Sequence, residues 1–121
     1  MGKMSRNKGA AGERELARKL ELALKLPKGT LYRSRQFCGA GGDHGDVLGL
    51  PGVHIECKRT ERLNLYAALK QAINDAGDNI PVVFHRKNLE PWVAILEIDN
   101  LLQFCLAVFV ALEEINDSEQ D

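Results

Sequence analysis

The chain has 121 residues and a mass of 13.4 kDa, which is room for one compact domain. Its 45% hydrophobic and 27% charged residues can build a buried core, which excludes a wholly disordered protein. The longest apolar run, residues 101–112, is too short to cross a bilayer, and the N-terminus lacks the apolar segment of a secretory signal. Three cysteines without CxxC spacing fit neither a disulfide scaffold nor a zinc ribbon. We therefore expect a cytoplasmic protein with no membrane partner.

The net charge of -1 hides an uneven distribution along the chain. Residues 1–36 hold ten Lys or Arg against three Glu, whereas residues 97–121 hold seven acidic residues and no basic one. A basic N-terminal third is suited to phosphate contacts, and the acidic end would repel a nucleic acid. The alternative is an ordinary solvated surface with an acidic tail.

The N-terminal third predicts an arm, a helix and a short strand. Residues 1–9 are basic and polar and predict a flexible arm. Residues 10–26 carry apolar side chains at helical spacing, and Pro27 ends this helix. Residues 31–37 predict a short Arg-rich strand, and the glycines of residues 39–45 predict a loop.

The middle of the chain predicts a β-hairpin followed by a helix. Residues 46–48 and 53–58 read as two strands, joined by the turn Gly49-Leu50-Pro51-Gly52. Apolar residues over 65–76 recur at the spacing of one helix face, and Gly77 closes this second helix.

The C-terminal part predicts two further strands, at residues 81–85 and 92–98. Asp99 is a good N-cap for an apolar helix that ends near Leu112, and residues 113–121 predict a disordered acidic tail. This order of elements predicts a single α/β domain in which a mixed central β-sheet is flanked by helices.

Charged residues alternate with apolar ones in the strand Val53-His54-Ile55-Glu56-Cys57-Lys58. The three apolar side chains are expected to face the core, so that His54, Glu56 and Lys58 share the other face. The alternative to a functional site is that Glu56 and Lys58 form a solvated ion pair. No partner is apparent for His54 or His85, and both are expected at the surface or at strand ends.

Asp46 lies on the preceding strand of the same hairpin and can approach Glu56 across it. Two converging carboxylates repel each other unless a cation neutralises them, and oxygen-only ligation suits Mg²⁺ or Mn²⁺. Glu13 adds a third carboxylate, because it heads the stripe of the first helix that is expected to be buried. A Glu there is costly without a partner, a metal or water. The alternative is a first-turn Glu that the helix dipole favours by about 0.3–1 kcal/mol.

These residues resemble the PD-(D/E)xK nuclease superfamily. The matching segments are Gly45-Asp46-Val47, Ile55-Glu56-Cys57-Lys58 and Gly9-Ala10-Ala11-Gly12-Glu13-Arg14-Glu15-Leu16, with Gly45 in the place of the proline that names the motif. Within the superfamily the chain most resembles the archaeal-type Holliday junction resolvases, which also occur in phages, over about residues 7–98. The resemblance implies a restriction-endonuclease-like core, a nuclease domain over residues 10–112, and a bacterial, archaeal or phage-infected host cell.

The resemblance also implies roles for individual residues. Asp46 and Glu56 would bind Mg²⁺, for which Mn²⁺ can substitute, with the Cys57 backbone carbonyl as a further ligand. Glu13 would hold the metal directly or through water, and Lys58 would orient the attacking water or stabilise the phosphorus centre. The expected reaction is paired nicking of four-way DNA junctions that leaves 5′-phosphates. Ser34 resembles a serine that contacts substrate in the resolvases, and Gln71 resembles a glutamine near the active site of several of these nucleases. From their charge and position we also expect the basic residues Lys8, Arg33, Arg35, Arg59 and Arg62 to contact DNA. Simple exposure is the alternative for Arg33, Arg35 and Gln71.

The helix expected over residues 101–112 is apolar on nearly all sides, and a small domain has little interior to surround it. We expect this helix to form part of a homodimer interface through Phe104, Leu106, Val108 and Phe109. Two other functions stay open: another nuclease of the same fold, acting on nicked, flap or linear DNA, and a module that binds branched DNA without cutting it.

Overall fold

A computed structural model describes the backbone of residues 2–34 and 45–120, and the side chains of residues 9–34 and 45–117. The helices are α1 (Gly2–Leu24), α2 (Leu65–Ala76) and α3 (Leu101–Gln120), and a 3-10 turn at Ile98–Asn100 precedes α3. The strands are β1 (Tyr32–Arg33), β2 (Val47–Leu48), β3 (Val53–Arg59), β4 (Ile80–Arg86) and β5 (Val93–Ile95). Among these helices, none has the length and hydrophobicity needed to span a membrane.

The five strands form one mixed sheet in the order β1-β2-β3-β4-β5 within the described residues. β3 and β4 are parallel and are connected by α2, whereas the other neighbouring pairs are antiparallel. The prediction of a single α/β domain with a mixed sheet and flanking helices is confirmed. The central strand β3 carries Glu56 and Lys58, and both residues are paired with β4.

Two apolar clusters hold the helices on the sheet. Leu16, Ala17 and Leu20 of α1 are buried with Val53 and Ile55 of β3 in the larger cluster. A smaller cluster joins Ala68, Leu69 and Ala72 of α2 to Val83 of β4. Because side chains alternate along a strand, α1 and α2 cover opposite faces of the sheet.

Helix α1 ends in a Schellman turn that leads the chain into β1. Lys25 has a left-handed φ of 59°, the N–H of Leu26 donates to the Glu21 carbonyl at 2.8 Å, and the N–H of Lys25 donates to the Leu22 carbonyl at 3.4 Å. Leu26 is buried against the core, which supplies the apolar contact that accompanies this motif. The helix therefore ends before Pro27, as the sequence predicts.

The terminal segments differ from their predictions. Residues 2–9, expected as a flexible arm, extend α1, because this stretch has no proline and Gly9 costs a helix only about 1 kcal/mol. Residues 113–120, expected as a disordered tail, continue α3, because Ile115 packs against the core one helical turn beyond Ala111.

The start and the apolar surface of α3 also differ from expectation. Asp99 lies inside the 3-10 turn, whose N-cap is Glu97, so Asp99 does not cap α3. Phe104 and Val108, predicted at a dimer interface, pack against this domain's own core, while Leu106 and Phe109 are exposed. Two further strands are shorter than predicted: β1 ends at Arg33 within the described residues, and β5 covers only Val93–Ile95.

Candidate active site

Asp46 is fixed between β1 and β3 by its backbone and its side chain. Its N–H donates to the Ile55 carbonyl at 2.8 Å, and its carbonyl accepts the Ser34 N–H at 2.9 Å. Its carboxylate Oδ2 accepts the backbone N–H of Cys57 at 2.7 Å. The carboxylate therefore has a defined position at the point where β2 begins.

Glu56 meets this carboxylate across the hairpin. Val47 is paired with Ile55, so the antiparallel register places Asp46 opposite Glu56 on the same face of the sheet. The two carboxyl groups lie close enough for the charge of Glu56 to raise the pKa of Asp46, and Glu56 is buried. Its Oε1 also lies 3.0 Å from Nε2 of His54.

The two carboxyl groups differ in their affinity for a proton. Burial, and then the charge of Glu56, raise the pKa of Asp46 to about 7, against an ordinary value of 3.8. Burial alone would also raise the pKa of Glu56, but hydrogen bonds from His54 and Asp46 and the charge of Lys58 outweigh it and lower that pKa. At neutral pH and below, the proton shared by the pair therefore belongs to Asp46.

Lys58 and Gln71 come together beside the carboxylates. Nζ of Lys58 donates to Oε1 of Gln71, on α2, at 3.2 Å. The charge of Lys58 also acts on Glu56, two residues earlier on the same face of β3. The amide of Gln71 therefore gives the ammonium a fixed neutral acceptor that does not compete for its charge.

Glu13 reaches this area from α1 but already has a cationic partner. Its Oε2 accepts from Nε of Arg33 at 3.0 Å, and its charge contributes to the raised pKa of Asp46. Arg33, predicted to contact DNA, is thus held by Glu13. The structure brings Glu13 near Asp46, while pairing it with a guanidinium.

The thiol of Cys57 is not suited to metal ligation or nucleophilic chemistry. Burial, and then the charge of Asp46, raise its pKa to about 12, so that it stays protonated at neutral pH. The backbone carbonyl of Cys57, predicted as a metal ligand, points to the same side of β3 as its N–H, which is the side of Asp46.

The other predicted DNA contacts lie in different places. Arg59 projects from the α1 face of β3, opposite to Lys58, and its side chain contacts Glu15 at 3.6 Å and Asn88 at 3.1 Å. Only 17% of this side chain is exposed, and Arg59 ties α1 to the β4–β5 turn, while its phosphate contact stays a prediction. Arg62 is exposed. Arg35 and the side chain of Lys8 lie outside the described residues.

Two acidic residues on α1 have structural roles that the sequence patterns did not indicate. Glu15 accepts hydrogen bonds from Arg86 and from Nε1 of Trp92 and so holds α1 to β4 and β5. Buried Glu21 accepts the N–H groups of Gly29 and Leu31, each at 2.8 Å, which fixes the path from α1 into β1. Both pairings cross long sequence separations, which local periodicity does not report.

A basic cleft of about 360 Å³ opens next to the Glu13–Arg33 pair, and it too was missed. Arg14 on its wall is exposed, and Tyr32 is 55% exposed. The guanidinium of Arg18 is held by Glu21 and by the Leu31 carbonyl. The lining residues are Arg14, Ala17, Arg18, Tyr32 and Arg33. Guanidinium groups beside an accessible aromatic ring suit a nucleotide chain, since they can contact phosphate and stack on a base.

Both histidines were expected without partners, and both have one. Of the two places expected for His54, the surface or a strand end, it occupies a strand end: it is the second residue of β3, is only 1% exposed and contacts Glu56. The signal was present in the sequence, because His54 and Glu56 are two residues apart on one strand face. His85 Nε2 lies 2.8 Å from the carbonyl of Thr60.

Asp46 and Glu56 offer the donor set that Mg²⁺ accepts. Mg²⁺ binds one or two carboxylates and keeps several waters, so a two-carboxylate site fits it. Among residues 9–34 and 45–117, no group of three or more His, Cys, Asp or Glu side chains is arranged to hold a metal ion.

Comparisons of the chain with protein-family models, curated proteins and solved structures found no match. What the site does is therefore inferred from its own contacts.

Proposed function

We propose that the protein is a Mg²⁺-dependent endodeoxyribonuclease that nicks four-way DNA junctions. The observation that carries this proposal is the contact between the carboxyl groups of Asp46 and Glu56, next to Lys58 on the central strand. The same proposal includes a restriction-endonuclease-like core and a cytoplasmic location.

The carboxyl pair supports cation binding on electrostatic grounds. Desolvation, and then the charge of the neighbouring Glu56, oppose ionisation of Asp46 and raise its pKa, so that the two carboxyl groups do not both ionise cheaply. A divalent cation can take the place of the shared proton and let both groups ionise. If these two positions had only a structural role, a pair of apolar side chains would stabilise the fold better than two carboxyl groups. The presence of Asp46 and Glu56 therefore argues against a purely structural role.

Hydrolysis requires an activated water and stabilisation of charge on the phosphate. When bound, the cation lowers the pKa of a coordinated water and shields the phosphate oxygens. Lys58 supplies a second positive charge, and its contact with Gln71 orients the ammonium. The carboxylate of Asp46 is held in a fixed position by the N–H of Cys57, and that of Glu56 is held by His54.

The surface around the site supports a DNA substrate. The basic cleft defined by Arg14, Arg18, Tyr32 and Arg33 adjoins the carboxylates through the Glu13–Arg33 pair. The choice of a four-way junction rests on the resemblance of the motifs to the Holliday junction resolvases, because the site itself fits any phosphodiester. Nicks that leave 5′-phosphates are part of the same proposal.

The test incubates the purified full chain with a labelled four-way junction and with linear duplex of the same sequence. We expect paired nicks in the junction with Mg²⁺ or Mn²⁺ and none with EDTA. Asp46→Asn should abolish cleavage while Lys87→Ala, a change at an exposed lysine in the β4–β5 turn, should not. Equal cutting of all substrates would keep the nuclease and remove the junction specificity. Tight junction binding without cleavage would indicate a binding module.

A further inference from the structure

His54 is a buried imidazole that faces the candidate active site. It is 1% exposed, and its Nε2 lies 3.0 Å from Oε1 of Glu56. Both side chains project from the same face of β3, two residues apart, so the strand itself sets their separation. A buried histidine in contact with a carboxylate has one of two roles. It either only packs in the core or sets the orientation of the carboxylate.

The direction of this hydrogen bond follows from the state of Glu56. A carboxylate that binds a cation is ionised and can only accept a hydrogen bond, and Oε1 of Glu56 lies 3.0 Å from Nε2 of His54. Nε2 of His54 therefore carries the proton and donates to Oε1. This bond fixes the side-chain rotamer of Glu56 and engages one of its two oxygens.

We propose that His54 is a positioning residue for the cation site: its Nε2–H anchors Oε1 of Glu56 and leaves the second carboxylate oxygen as the ligand for a divalent cation. This inference rests on the proposed function, because it requires that Glu56 bind a cation. The arrangement matches the general behaviour of metal sites, in which hydrogen-bond partners of the ligands set ligand orientation and their loss weakens metal binding about 10–100-fold.

A structural role and a positioning role predict different results. If His54 only fills the core, its replacement changes stability and leaves the affinity for the cation unchanged in the folded variant. If its N–H positions Glu56, an apolar replacement weakens cation binding even when the variant folds, and a replacement that keeps a donor at the same reach restores it. Gln can place its amide nitrogen close to the position of Nε2, whereas Leu fills similar space with no donor.

The experiment measures Mn²⁺ binding to the full chain by isothermal titration calorimetry without DNA, for the wild type, His54→Leu, His54→Gln and Asp46→Asn. Circular dichroism establishes that each variant is folded. We expect His54→Leu to bind Mn²⁺ about 10–100-fold more weakly than the wild type, and His54→Gln to recover most of the loss. Wild-type affinity in His54→Leu, or equal weakening in His54→Gln and His54→Leu, overturns the inference.

A second measurement does not depend on the folding of a variant. In the wild type labelled with ¹⁵N-histidine, Mg²⁺ should shift the Nε2 resonance of His54 along the same binding curve, and leave that of His85 in place. An unmoved His54 resonance in a protein that binds Mg²⁺ overturns the inference alone. If the wild type binds neither Mn²⁺ nor Mg²⁺, the proposed function fails and this inference fails with it.

Discussion

The backbone N–H of Cys57 donates a 2.7 Å hydrogen bond to Oδ2 of Asp46. This hydrogen bond favours the ionised carboxylate, but burial and the charge of Glu56 outweigh it, so that the pKa of Asp46 is raised. Within the described residues, the groups that act on the Asp46 charge include two further carboxylates, those of Glu56 and Glu13. The protein therefore keeps an acid at a position where ionisation opposes folding.

Replacing Asp46 by Asn should stabilise the metal-free protein at high pH. Between the ordinary pKa of 3.8 and the folded value of about 7, the folded state holds a proton that the unfolded chain has lost. Raising the pH through this window therefore lowers the free energy of unfolding of the wild type. Asn keeps an acceptor for Cys57 and cannot ionise. The gain of the variant over the wild type should grow from nearly zero below pH 4 to at most roughly 4 kcal/mol above pH 7.

Urea unfolding in EDTA, followed by circular dichroism at several pH values, measures this difference. Asp75→Asn, at an exposed position on α2, is the matched control, and its difference from the wild type should not grow in the same way. Excess Mg²⁺ should raise the stability of the wild type and leave Asp46→Asn unchanged. A gain for Asp46→Asn that is flat with pH contradicts the raised pKa.

Removing Lys58 or its partner should affect cleavage to different degrees. Lys58→Ala loses the ammonium and should slow junction cleavage by about 100-fold or more. Gln71→Ala keeps the ammonium but loses the acceptor at 3.2 Å, so we expect a loss of about 10-fold in the cleavage rate. Single-turnover rates at saturating protein measure both effects.

Asn74, exposed on α2 three residues after Gln71, provides the control for that helix. Asn74→Ala should cleave at the wild-type rate. A Gln71→Ala variant as fast as Asn74→Ala would show that the contact between Lys58 and Gln71 has no part in the chemistry.

Arg14 should contribute to DNA affinity through a phosphate contact in the basic cleft. Arg14→Gln should weaken binding to junction and duplex alike, and should reduce the slope of log affinity against log salt concentration by about 0.9. Fluorescence anisotropy in Ca²⁺, at several salt concentrations, gives the slope. Lys87→Ala, in the β4–β5 turn, should leave it unchanged. An unchanged slope in Arg14→Gln would exclude the cleft from the DNA path.

The turn between β2 and β3 depends on a glycine for two reasons. Gly49 has a φ of +114°, and a Cβ there would lie 2.1 Å from the carbonyl oxygen of Thr30. Gly49→Ala should therefore lower the free energy of unfolding by about 3 kcal/mol or more. Gly52 in the same turn has a φ of +83° with open space around it, so Gly52→Ala should cost only about 1–2 kcal/mol. Urea titration distinguishes them, and equal losses contradict the steric argument.

Light scattering tests the homodimer that the sequence predicts. The described surface of α3 exposes Leu102, Leu106, Phe109 and Val110, a continuous apolar face that a second copy could cover. We expect a mass of about twice 13.4 kDa at micromolar concentration. Leu106→Glu should shift the protein to monomer, whereas Glu113→Gln, at an exposed position on the same helix, should not. A wild-type monomer rejects the prediction.

The features that follow from local periodicity were predictable from the sequence. The second helix from Leu65 to Ala76 with Gly77 after it matches its prediction, as does the approach of Asp46 to Glu56 across the hairpin. These depend on helix spacing, strand alternation and a short turn, all of which lie within a few residues of each other.

The features that sequence patterns missed are contacts between distant parts of the chain. Glu15 joins Arg86 and Trp92, and Glu21 joins the backbone around Leu31, at separations that no short motif encodes. The contact of Arg59 with Glu15 was missed as well, because it depends on the strand face that α1 covers. The helical ends of the chain were missed because charge was taken as a sign of disorder, although Lys, Arg and Glu are good helix formers.

The groups of the candidate site come from three separate parts of the chain: α1 supplies Glu13, the hairpin supplies Asp46 and Glu56, and α2 supplies Gln71. These parts come together only when α1 and α2 pack on the sheet through the two apolar clusters. A chain emerging from the ribosome, or one that has lost part of its fold, would therefore lack the arrangement needed to cut DNA. On the proposed function, DNA cleavage therefore arises only on complete folding, which protects nearby DNA from unfinished chains.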